Sequence, residues 1–208
     1  LDSEGNARVK HPKSTYSYYL AMHPGLKYYM VPNVDPKIKK MVKVSITGQR
    51  ISDFWIGSFI STVKFSPDGS LLIGSHDESG CISIWDDNNK LQDYPGHRNG
   101  RLFDLHPEPI LGLAMTGNNR FLVTGTPDGI VVTDLKTGKR ARASLYFRNN
   151  ESNSREFGYV VSDSTGRFEC SDEEKDRVSI MEDGKAVTRA LWNRYYTENL
   201  LWKFMQGE

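Results

Sequence analysis

From Thr62 to Asp86 the chain alternates short apolar runs with turn-forming polar clusters. Val63 and Phe65 alternate with Thr62 and Lys64, the period of two that marks a half-buried strand. Ser66-Pro67-Asp68-Gly69 then joins a proline that presets φ to a glycine that tolerates positive φ, so the chain reverses there. Leu71-Leu72-Ile73 runs into a second turn cluster, His76-Asp77-Glu78-Ser79-Gly80, and Cys81-Ile82-Ser83-Ile84-Trp85-Asp86 returns as a β-branched run. The stretch predicts three antiparallel strands joined by two turns.

The same grammar recurs. Upstream, strands are predicted at Tyr16–Met22, Lys27–Val31, Met41–Ile46 and Ile51–Ile56, with turns at His23-Pro24-Gly25, Pro32–Pro36 and Thr47-Gly48-Gln49. The opening stretch belongs to a second copy whose fourth strand is predicted at Leu91–Tyr94. A third copy reads Ile110–Met115, Phe121-Leu122-Val123, Ile130–Thr133 and Ala141–Phe147, and its Leu113-Ala114-Met115 reproduces Leu20-Ala21-Met22. A fourth, more degenerate copy reads Gly158–Ser162, Arg167–Cys170, Arg177–Met181 and Ala186–Trp192. Asp134 stands 48 residues after Asp86, and Glu182 stands 48 after Asp134. The polar insertion Asn149–Arg155 predicts an exposed loop. In the tail, Tyr196, Leu200 and Phe204 recur at helical spacing, which predicts a helix from Asn193 to Phe204. The expected organisation is a polar lead-in over 1–14, four copies over 15–57, 60–97, 108–147 and 157–193, and a helical tail over 194–208.

These residues resemble the WD-repeat β-propeller family. The resemblance rests on the FSPDG turn, the small Gly74-Ser75 strand end, Asp77 in the next turn, the closing Trp85-Asp86 and the Gly96-His97 dipeptide. It implies an all-β fold of four-stranded antiparallel meanders, here with a short C-terminal helix. Four copies fall short of the about seven blades usual in that family. A partial or open ring, a fragment of a longer chain or a ring completed by another chain, is therefore expected over a small closed one, and Leu1 in the place of an initiating Met agrees. The family ties each blade with a hydrogen-bonded set, which the resemblance transfers to Ser75, Asp77, Trp85 and Asp86 in the second copy and to His97, Thr124 and Asp128 in the third. No copy is complete: Thr133 stands where a Trp would, and Val44-Ser45 stand where Trp85-Asp86 would. Such blades are expected to lean on apolar packing.

Composition narrows the classes. The 208 residues are 38% hydrophobic and 25% charged, ordinary for a globular chain, and the net charge of +1 steers the molecule toward no polyanion as a whole. No apolar run is long enough for a transmembrane helix, and no signal segment opens the chain. Cys81 and Cys170 sit in strand-like runs, which suits buried thiols in a reducing compartment, so an intracellular location, cytoplasmic or nuclear, is expected.

Candidate chemistry is sparse. His97 with Asp128 would form a general base and its orienting carboxylate, but no nucleophile accompanies them. His76-Asp77-Glu78 would offer a metal corner, but no second group has ligand spacing, so neither a metal nor any other cofactor is expected. Lys136, Lys139, Arg140 and Arg142, followed by Tyr146 and Phe147, form the best candidate patch for an anionic ligand, nucleic acid or lipid headgroup. Lys37, Lys39, Lys40 and Lys43 repeat it in the first copy. On the tail, Trp202, Phe204 and Met205 are the candidate docking residues. The leading expectation is a non-enzymatic platform for other protein chains. A propeller that binds RNA or anionic lipid through basic turns is the alternative from another class, and a propeller hydrolase with a central metal is a third.

Overall fold

The computed structural model of the chain describes residues 20–32, 39–56, 60–76, 81–92, 97–98, 101–102, 110–127, 129–149, 155–175, 178–182, 185–187 and 189–207. Two units divide the chain, Leu1–Asn119 and Arg120–Glu208. The lead-in over 1–14, Asp77 and Asp128, and residues 150–154 of the polar insertion lie outside the described residues.

In the first unit, alternation of apolar and polar positions builds two sheets. The first is a complete antiparallel meander of β1 (Ala21–Met22), β2 (Tyr28–Pro32), β3 (Lys40–Ser45) and β4 (Arg50–Trp55). The last three strands are each offset by one residue from the runs expected at 27–31, 41–46 and 51–56. The second sheet contains β5 (Ile60–Phe65), β6 (Leu71–His76), β7 (Ile82–Asp86), β8 (His97–Arg98) and β9 (Arg101–Leu102), in the order β5-β6-β7-β9-β8. Its fourth position differs from the expectation. Leu91 makes one bridge to Trp85 and the Gln92 N–H donates to the Ile84 carbonyl at 2.8 Å, after which the place beside Ile82 passes to Leu102. The predicted run 91–94 has only two apolar residues before Pro95, which has no N–H to give a ladder. His97 thereby lies in β8 at the outer edge of this sheet. β10 (Gly112–Met115) lies beside β5.

The core of this unit joins Tyr28, Met30 and Met41 of the first sheet to Ile60, Val63, Leu72 and Trp85 of the second, with Phe54 and Phe65 packed against them. The Trp85 indole meets the Phe54 ring at 5.6 Å between centroids and an angle of 60°. Gly74 of β6 makes room for it: a Cβ there would stand 3.0 Å from Trp85 Cζ3 and 2.8 Å from Ile60 Cδ1. Ile82 to Trp85 are buried without alternation, as befits a strand covered on both faces.

The second unit is organised on consecutive antiparallel strands β11 (Phe121–Thr126), β12 (Gly129–Asp134), β13 (Arg140–Asn149), β14 (Arg155–Asp163) and β15 (Phe168–Cys170). The expected fourth copy does not open as a separate sheet at Gly158. β14 instead pairs with β13 from Ala141↔Asp163 to Asn149↔Arg155. The rest of that copy also departs from its pattern. Only Met181–Glu182 (β16) and Lys185–Ala186 (β17) pair, and Arg189–Arg194 winds into 3-10 turns. The apolar positions 186, 187, 190, 191 and 192 group in the manner of a helix rather than alternating.

The helix is shorter than expected. Phe168 and the tail exchange backbone hydrogen bonds, Phe168 N–H to Tyr195 O and Thr197 N–H to Phe168 O, both 2.8 Å. That extended pairing holds Tyr196 off the helix, and Asn199, at φ 55°, turns the chain so that α1 runs from Leu200 to Gln206. Leu200 and Phe204, one turn apart, are its buried residues. They cover Phe121, Val132, Ala141, Ala143 and Val161, a single apolar face of the sheet.

Candidate interaction surfaces

One device closes several strands. At the end of β7, Asp86 accepts hydrogen bonds through Oδ1 from the N–H groups of Asn88 (3.0 Å) and Lys90 (2.8 Å), while Oδ2 takes the Gln92 amide at 3.1 Å. Asp134 repeats this after β12 with the Lys136 N–H at 2.9 Å and the Arg120 guanidinium at 2.9 Å. Asp163 repeats it after β14 with the N–H groups of Thr165 and Arg167. In the first sheet, which lacks the Trp-Asp pair, the Ser45 hydroxyl accepts the Gln49 N–H at 3.0 Å. An Asp or Ser side chain here captures backbone donors that a tight turn leaves orphaned. Burial alone would raise the Asp134 and Asp163 carboxyls, but the Arg120 guanidinium for one and the Thr165 hydroxyl and N–H for the other hold them below the usual carboxylate range. The spacing of 48 residues thus marks the turn caps Asp86 and Asp134, whereas Glu182 falls in β16 and Asp163 has the third cap.

The turns that follow first strands are stitched together. Asp68 accepts from the Ser66 hydroxyl (2.6 Å), the Ser70 N–H (3.0 Å), the Ser70 hydroxyl and the Asn119 amide (2.8 Å). On its other side the same turn meets the His23 ring: Gly69, at φ 77°, would place a Cβ 2.6 Å from His23 Nε2. His23 itself packs against Tyr28 and Phe65, and its Nδ1 accepts the Gly25 N–H at 2.9 Å. Burial first, then the nearby Lys27 and Lys43 charges, lower the imidazole pKa. The Ser66 hydroxyl, then the Ser70 N–H and the Asn119 amide, hold the Asp68 carboxyl far below the usual carboxylate range. A carboxyl depressed in the folded state adds stability above its unfolded pKa, about 3.9, and loses it as pH falls through the folded value. Asp68→Asn is therefore expected to cost about 1 kcal/mol at neutral pH, a figure reduced for the turn's exposure, and the gap to wild type should close as pH falls from about 5 to 2 in urea titrations.

Of the blade network, Ser75, Trp85, Asp86 and Thr124 have described side chains, while Asp77 and Asp128 lie outside the described residues. Ser75, fully buried, shares a hydrogen bond with the Ser61 hydroxyl at 2.9 Å, while Trp85 is packed on Phe54 and Ile60. Thr124 is buried and its hydroxyl reaches the Val131 carbonyl at 3.4 Å. His97 is described only by its backbone in β8. His76, read in the sequence as part of a turn, ends β6 as a buried side chain whose Nε2 meets the Ser83 hydroxyl at 2.7 Å. This polar pair linking β6 to β7 had no signal in the sequence beyond the alternation of Ser83 with Ile82 and Ile84. Among the described residues, no cluster of three His, Cys, Asp or Glu side chains stands in metal-ligating proximity.

The basic residues split by position. Lys136 and Lys139 are exposed on the turn after β12, whereas Arg140 and Arg142 are half-buried on β13, alternating with the buried Ala141 and Ala143. In the first sheet Lys40 pairs with Asp53 at 2.6 Å, and the Lys43 ammonium lies 3.8 Å over the Tyr28 ring. The docking trio splits too: Trp202 is 66% exposed, whereas Phe204 is buried against Phe121 and Met205 packs beside it.

Three solved structures have similar folds. They are a hydrazine synthase of Kuenenia stuttgartiensis (14% identity, TM-score 0.46, 74% of this chain and 53% of that one), the RRP9 WD40 repeats (13%, 0.48, 78% and 61%) and U3-55K (12%, 0.49, 86% and 70%). The chain thus spans 53% and 61% of the length of the first two. No curated protein matches the sequence. Residues 52–86 match the WD40 model, "WD domain, G-beta repeat". That match runs from the edge strand of the first sheet through β5, β6 and β7 to Trp85-Asp86, so this stretch is similar to one WD repeat of a β-propeller.

Proposed function

We propose that this WD-repeat segment is a non-enzymatic platform on which other protein chains assemble. The observation that supports this reading best is the edge strand β4. Among the described residues no strand pairs with its outer edge, which presents backbone donors and acceptors. On this strand Ile51 is 54% exposed and Trp55 61%, and Ile46 (60%) lies on the turn that leads into it. The register of β3 against β4 passes from Lys43↔Ser52 to Val44↔Arg50, so Ile51 is the extra residue of a bulge. Large apolar side chains exposed on an edge strand and its turn, one of them a tryptophan, suit a protein interface.

The test pairs Ile51→Ser and Trp55→Ser in one chain and compares it with Lys136→Glu plus Lys139→Glu. The native assembly recovered from its source should lose its partner subunits with the first pair, retain them with the second, and withstand a rise from about 0.05 to 0.5 M salt. Loss of binding with salt and with the lysine pair would instead support a platform for RNA or anionic lipid. Stoichiometric metal in the purified chain would favour the hydrolase.

A further inference from the structure

We infer that the cleft of the second unit between β15 and the 3-10 turns at Arg189–Arg194 is a binding site for a planar anionic ligand of nucleoside monophosphate size. The cleft has a volume of about 320 Å³, at the lower end for small-molecule sites, with room for one ring system and its charged substituent. Phe168 and Cys170, both buried, form the floor. Trp192 and Tyr196 form the walls, meeting the Phe168 ring at 5.4 and 5.6 Å between centroids and at 89° and 80°. Tyr196 remains partly exposed, so the aromatic surface is open to a flat ligand.

The rim is cationic. Arg189 lies over the Trp192 ring at 5.4 Å, and its Nη2 donates to the Lys175 carbonyl at 2.9 Å, which brings the two cationic residues to one side of the opening. Asn193 adds an amide able to meet the edge of a heterocycle. Among the described residues, no carboxylate lines the cleft. Three nearby acids among the described residues are engaged: Glu169 accepts the Leu200 N–H at 2.8 Å, Glu174 is buried under Gly158, and Asp172 pairs with the Lys175 ammonium. A phosphate entering over the aromatic walls therefore takes the place of Asp172 beside Lys175 and forms a second charge-assisted contact with Arg189. This constellation is separate from the apolar edge of β4 in the first unit. It was invisible in the sequence because its members come from a strand, a turn and the tail.

The full chain is titrated with each of the four common ribonucleoside monophosphates, with inorganic phosphate and with short single-stranded oligoribonucleotides, by calorimetry and tryptophan fluorescence. Saturable one-to-one binding of at least one mononucleotide below about 1 mM is expected, with phosphate alone at least about tenfold weaker. Lys175→Ala with Arg189→Ala, both exposed and checked for folding by circular dichroism, should weaken it by about tenfold or more, and Asp172→Asn should tighten it by about threefold. An oligonucleotide that binds more tightly than its mononucleotide identifies a strand end as the source of the ligand, and equal affinity identifies the free nucleotide. No saturation at about 5 mM, phosphate binding as well as nucleotide, or affinity unchanged in the rim variants would each overturn the assignment.

Discussion

Trp85→Ala should lower the unfolding free energy by about 3 to 5 kcal/mol, the usual cost of deleting a core aromatic. The indole is 3% exposed and lies among side chains of both sheets of the first unit. Its neighbours have little freedom to close the gap. Gly74 beneath it has no side chain to move in, Phe54 is held on β4 by pairing with Met41, and Ile60 is already against the Gly74 backbone. The cavity would therefore persist, and a cavity that cannot collapse carries the full loss of contacts. Denaturant unfolding followed by far-ultraviolet dichroism measures the change. Trp202→Ala, at a site 66% exposed, serves as the control and should shift stability by no more than about 0.5 kcal/mol. A loss below about 1 kcal/mol at Trp85 would contradict its place in the core.

The first unit was the more legible because its short apolar runs are bounded by turns that contain the residues turns require. Ser66-Pro67-Asp68-Gly69 could be read as a reversal from φ preferences alone, and Gly69 does adopt φ 77°. The Trp85-Asp86 pair disclosed a closing strand, and the Asp caps the turn after it. What stayed hidden depends on contacts distant in sequence. Nothing local says that Asn119 reaches the Asp68 turn, or that His23 lies on Gly69. In the second unit the spacing of 48 residues misdirected the reading. A side chain cap can move with its turn, so Asp163 took the role that period assigned to Glu182. The helical stripe through Tyr196 failed for a similar reason. Periodicity reports which residues would share a face if the segment were helical, and the β15 backbone competed for that segment first.

Removal of Thr197–Glu208 should lower the melting temperature by about 10 °C or more, from a loss of several kcal/mol at about 2 to 4 °C per kcal/mol in a chain of this size. α1 is seven residues long, too short to hold as an isolated helix, so its order comes from the sheet it covers. In return it buries Leu200 completely and Phe204 nearly so, and Glu169 of β15 fixes its start through the Leu200 N–H. Without it, Val132, Ala141, Ala143 and Val161 meet water along one face of the second unit. From the sequence alone, this tail was expected to dock on another chain through Trp202, Phe204 and Met205. Phe204 and Met205 are committed to the chain's own core, which leaves Trp202 as the one member of the trio free to anchor a partner. The two roles separate in one experiment. If the helix is a cover, truncation destabilises the second unit while Trp202→Ala leaves both melting temperature and oligomeric state unchanged by calorimetry and sedimentation. If Trp202 is an anchor, its alanine variant keeps the melting temperature of the isolated chain but sediments without its partner.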